Sequence, residues 1–90
     1  MTEILWDEGF KRSYKRKIKI NKRLKKKFWI AIGIFENNPF VSQLRTHKLS
    51  GKLRGLWAFS VDYNSRIIFK FVEGKSKVLL IDIGGHNEVY

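Results

Sequence analysis

Apolar residues recur along this chain with two different periods, and the change of period divides it. In the first part they fall three or four apart. Phe10, Tyr14 and Ile18 stand at i, i+4 and i+8 behind Asp7, a side chain suited to cap a helix. Ile20-Asn21 breaks that segment. A second helix is predicted over residues 22–36, with Leu24, Phe28, Ala31, Ile32 and Phe35 as its apolar stripe. Asn37-Asn38-Pro39 ends it, because Asn tolerates a left-handed cap and Pro cannot continue a helix. An edge strand is predicted ahead of both helices, over residues 3–6, and residues 40–48 read as loop. From residue 56 the period is two. Strands are predicted over 56–61, 65–72 and 77–83, joined by Asp62-Tyr63-Asn64 and Glu73-Gly74-Lys75-Ser76, both short and polar as hairpins require.

Alternation sorts the strand faces. Trp57, Phe59 and Val61 share one side of the first hairpin strand, and Ile67, Phe69 and Phe71 one side of the next. These bulky sets are assigned to the core beneath the helices. Leu56, Ala58 and Ser60, with Arg66, Ile68 and Lys70, form the other face, read as concave and open to a ligand. The expected fold is α+β: a helical hairpin packed on one face of a small, twisted, mainly antiparallel four-stranded sheet. Ninety residues allow one domain, 1–90, with a modest core.

Charge changes this picture most. Lys and Arg number 19 against 8 acids, for a formal net charge of +11. Residues 11–27 hold eleven of the bases and no acid, so the rest of the chain is balanced. Such a field attracts polyanions, nucleic acid foremost. Lys15, Lys19, Lys22 and Lys26 are candidate phosphate contacts; the alternative is a solvated helical face. With no cysteine there is no disulfide or thiolate chemistry, which suits a reducing cytoplasm. The acidic first ten residues lack the apolar run of an export signal, and the apolar block 28–35 is too short to span a bilayer. No membrane association is expected.

Candidate chemistry sits at strand ends. His47 opens the loop before the first hairpin strand, Arg66 starts the second, and His86 and Tyr90 follow the third. A His, an Arg, a second His and a Tyr at the ends of adjacent antiparallel strands can converge on one phosphate. The bland readings are a solvated loop His, a turn His after two glycines, and a surface bridge from Arg66 to Asp62 or Asp82. The two histidines lie far apart with no carboxylate cluster nearby, a poor metal set. No glycine-rich phosphate loop is present, and neither metal nor cofactor is expected.

The ordered set His47-x-Leu49-x-Gly51, Gly55-x-Trp57, Arg66-Ile67-Ile68-Phe69, Gly85-His86 and Tyr90 resembles the RelE superfamily of bacterial toxins, above all its YafQ and YoeB branches. Phe10-Lys11-Arg12 and Asn38-Pro39-Phe40 extend the resemblance over essentially the whole chain. It implies the strand and helix order β-α-α-β-β-β. It further implies a ribosome-dependent, metal-independent endoribonuclease that cuts mRNA in the A site. His47 and His86 then form the acid–base pair, with His47 preferred as base and His86 as acid. Arg66 steadies the phosphate, and Tyr90 stacks on a base or orients the reacting groups. RelE-type members carry lysines where this chain has Ala58 and Ser60, and YafQ-type members carry His and Asp at Ser60 and Asn64. Ser60 and Asn64 can still position substrate by hydrogen bonds, and Lys52 and Arg54 are the nearest replacement cations. The implied partners are a short acidic antitoxin, the ribosome and mRNA, and operator DNA only as the toxin–antitoxin complex. Two alternatives are a ParE-like gyrase inhibitor of the same fold and a plain RNA-binding domain.

Overall fold

The computed structural model describes residues 1–85; His86 and Tyr90 lie outside the described residues. Strand β1 (Glu3–Trp6) leads into α1 (Glu8–Ser13), capped by Asp7, whose carboxylate accepts from the Gly9 N–H at 2.8 Å. The helix then widens. Over Tyr14–Ile18 the Lys19 N–H reaches back five residues to the Tyr14 carbonyl, so the continuous α-helix expected through Ile18 ends in a π-turn. Phe10 and Ile18 are nevertheless both fully buried, as the spacing predicts. Asn21 caps α2 (Lys22–Asn37), its side chain accepting from the Leu24 N–H.

The sheet has five strands in the order β1-β5-β4-β3-β2, where four were expected. The additional one is β2 (His47–Lys48), a two-residue strand inside the predicted loop, antiparallel to β3 (Trp57–Ser60). Two residues are too few for a period-two pattern to register. β4 (Ser65–Val72) and β5 (Lys77–Gly85) form the long central hairpin, and β1 closes the sheet parallel to β5.

Phe10, Phe28 and Phe35 from the helices meet Phe59, Ile67, Phe69, Val78 and Leu80 of the sheet, all fully buried. The Phe35 ring stacks on Phe59 at 4.5 Å and meets Phe69 edge-on at 5.0 Å. In so small a domain this contact is a large share of the stability margin. Phe69→Ala is expected to lower unfolding free energy by about 3–5 kcal/mol, read as a shifted urea midpoint at unchanged slope.

The opposite sheet face corrects the sequence reading. It is not wholly open. Residues 49–56 fold back over it in a tight turn, and Leu49 and Ala58 are buried there with Leu53, Leu56 and Ile68 against them. The small Ala58 side chain leaves room for those leucines. Gly51 and Gly55 supply the left-handed backbone, φ +64° and +94°, that lets the segment double back.

Candidate active site

The strand register brings the candidate groups onto one face. His47 stands opposite Ala58, and Ser60, two residues further along β3, stands opposite Arg66. Directly opposed residues share a face, as do residues two apart, so His47, Ser60 and Arg66 point to the same side. Gly84 of β5 is the next partner of Arg66 in the ladder.

Arg66 is only 4% exposed. Its Nη1 donates to the carbonyls of Asp62, Tyr63 and Ser65 at 2.7, 3.0 and 3.3 Å. These carbonyls belong to the β3–β4 turn, so the turn itself orients the guanidinium plane. The carboxylates proposed as surface-bridge partners are otherwise engaged: Asp62 accepts from the Asn64 N–H, and Asp82 from the Ser13 hydroxyl and the Ile83 N–H. Arg66 lines a hollow of ≈ 280 Å³ with Gln43, Arg45, Ser60 and Tyr63. A second hollow of ≈ 400 Å³ shares the Gln43, Ser60 and Tyr63 wall and extends to Lys27, Ile30 and Ile34 of α2. Together they make a groove from the Arg66 guanidinium to the helix flank. The Ser60 hydroxyl is buried on this wall with no hydrogen-bond partner among the described residues. Tyr63, 81% exposed, stands at the rim.

His47 is oriented by backbone. Its Nδ1 lies 2.8 Å from the Arg45 carbonyl. A carbonyl only accepts, so Nδ1 carries the proton and the lone pair of the neutral ring is on Nε2, which is buried, and His47 lines neither hollow. Arg45 holds this carbonyl in a left-handed conformation, φ 52°. That conformation is uncommon for a residue with a side chain, and it clusters where geometry matters to function.

No protein-family profile matches the chain, and no curated protein does. Solved structures match over almost the full length. The YoeB/ParE toxin from Agrobacterium tumefaciens aligns at TM-score 0.76 and 16% identity, covering 94% of this chain and 99% of that one. The E. coli DinJ-YafQ toxin–antitoxin complex contributes a chain at TM-score 0.74 and 18% identity, with 99% and 97% covered. The YoeB-YefM complex from Staphylococcus aureus contributes one at 0.73 and 16%, with 96% and 98% covered. This is the fold of the RelE superfamily toxins. The helical layer packed on one sheet face was expected from the sequence.

The remaining candidate residues are dispersed on that fold. Lys52 and Arg54 lie on the exposed turn over Ala58, and Arg54 faces a separate hollow with Lys48 and Lys75. Neither lines the Arg66 hollow. The cation that does is Arg45, which sequence reasoning passed over; its one signal was its place two residues before His47. Gln43 lines that hollow too, in a segment whose sequence predicts loop. Asn64 lines another hollow, with Lys17 and Gly84–Gly85 at the end of β5. Lys15, Lys19, Lys22 and Lys26 are all exposed on the helical layer. Among the described residues no His, Asp and Glu side chains group as a metal site, and no helix is long and apolar enough to cross a membrane.

Proposed function

We propose that this protein, as one domain over residues 1–90, is the toxin of a type II toxin–antitoxin pair and a metal-independent endoribonuclease that cuts mRNA in the ribosomal A site. The observation that carries the reading is Arg66: a buried guanidinium, fixed by turn carbonyls, on the same sheet face as His47 and at the wall of an open groove. Phosphoryl chemistry needs such a pre-positioned cation where charge builds.

In this mechanism Nε2 of one histidine takes the proton from the 2′-hydroxyl. The 2′-oxygen attacks phosphorus, and the P–O5′ bond breaks. The second histidine protonates the departing 5′-oxygen. His47 serves as base, its Nδ1 held by the Arg45 carbonyl so that Nε2 carries the lone pair. His86, which follows Gly85 in the chain, serves as acid. Arg66 holds a nonbridging oxygen through its planar fork, and Arg45 adds a second cation at the same hollow. Ser60 orients the substrate, and Tyr90 stacks on a base next to the scissile bond.

The +11 charge suits a ribosomal site crowded with phosphates and an acidic antitoxin that covers the groove in the cytoplasm. That complex, rather than the free toxin, binds operator DNA. The DinJ-YafQ and YoeB-YefM neighbours come from toxin–antitoxin complexes, which fits this partner. A defined mRNA with and without purified ribosomes tests the reading. Cleavage only on ribosomes is expected. Intact mRNA together with loss of gyrase supercoiling would replace it with the gyrase-inhibitor alternative.

A further inference from the structure

On the helical side, away from the Arg66 groove, aromatic rings and cations meet in a way the cleavage reading does not use. Trp6 at the end of β1 lies against Tyr14 at 5.0 Å and stacks with Trp29 of α2 at 5.9 Å and 28°. The Trp29 indole N–H donates to the Tyr14 hydroxyl at 3.0 Å, which fixes the two rings relative to each other. Trp29 is still 47% exposed. Beside the Trp6 and Tyr14 rings lies a hollow of ≈ 400 Å³ rimmed by Arg12, Lys15, Lys19 and Lys25. Lys11 and Glu8 also line it, paired with each other at 3.2 Å. The four rim cations have no ion pair among the described residues.

We propose that this hollow is a second nucleic-acid subsite, which stacks an unpaired base on the Trp6 and Tyr14 rings, fixed from behind by Trp29, and holds the flanking phosphates on the rim cations. Flat rings beside uncompensated cations are the combination that single-stranded nucleic acid uses. A duplex keeps its bases stacked inside, so it would engage only the rim. An acidic peptide would satisfy the lysines but offers no plane to match the rings. Because Trp29 and Tyr14 are already locked together, little side-chain entropy remains to be lost on binding. The subsite binds RNA whether or not the chain cleaves it.

Anisotropy of a fluorescein-labelled uridine decamer, titrated at several salt concentrations, tests this. Trp29→Ala, which removes the ring that holds Trp6 and Tyr14 in place, is expected to weaken binding about tenfold with an unchanged salt slope, and Trp29→Phe, which keeps the ring contact, to keep most of the affinity. Lys15→Gln with Lys19→Gln should instead flatten the log–log slope by roughly 0.7 per lost contact. A Trp57→Phe chain leaves Trp6 and Trp29 as the only indoles. Its fluorescence should be quenched by the unlabelled decamer and not by an abasic strand of equal charge; that readout needs no change to these rings. Wild-type affinity in Trp29→Ala, or equal quenching by both strands, would overturn the proposal. So would a Trp29→Ala chain that keeps the decamer but loses poly-glutamate, which would mark a peptide dock.

Discussion

Arg66→Lys is expected to lower the rate of mRNA cleavage on saturated ribosomes by about 10²–10³-fold, the scale seen when one donor to a developing charge is removed. Lysine keeps the charge and loses the planar fork, so the comparison isolates geometry. The ammonium can still donate to the turn carbonyls of Asp62 and Tyr63, which now accept from Nη1. Arg66→Ala is the poorer test, because it strands buried acceptors at about 1–3 kcal/mol for each unsatisfied group. The loss should fall on turnover and leave ribosome affinity nearly intact, since the contact strengthens only as the phosphorane forms. Full activity in a folded Arg66→Lys chain would assign this arginine to turn stability alone.

Removing either histidine is the second large effect. His47→Gln and His86→Gln should each cost about 10²–10⁴-fold in the chemical step. Glutamine at position 47 can still donate to the Arg45 carbonyl, which His47 Nδ1 contacts at 2.8 Å, so the loop should keep its shape. What it lacks is a nitrogen that accepts a proton. Groups that act in one step fail together, so the double variant should be little slower than the worse single one. Losses that multiply in full would mean that the two side chains act in separate steps.

Much of the fold was legible because its signals are local. Asp7 and Asn21 cap as their side chains require, and both turns that delimit the central hairpin lie where polar runs interrupt the alternation. The aromatic core of Phe10, Phe28, Phe35, Phe59 and Phe69 follows from the two periods. What escaped depends on contacts remote in sequence. β2 exists because β3 offers it a partner, and two residues carry no periodicity of their own. Residues 49–56 cover a face that alternation marks only as less bulky; nothing local says that Leu49, Leu53 and Leu56 close on Ala58. At the site, Ser60 and Arg66 could be placed on one face by parity; His47 could not, because the short strand that carries it shows only in its pairing with β3. Arg45 could not, because its place at the hollow depends on a left-handed loop residue that is not glycine.

The chemistry of the cut ends tests the central claim most directly. Attack by the 2′-oxygen leaves a 2′,3′-cyclic phosphate on the upstream fragment and a 5′-hydroxyl on the downstream one. An mRNA with one deoxynucleotide at the scissile position should bind the ribosome, admit the protein and remain uncut there. Fragments ending in 3′-hydroxyl and 5′-phosphate, or cleavage of the deoxy-substituted message at wild-type rate, would contradict the acid–base mechanism assigned to His47, Arg66 and His86.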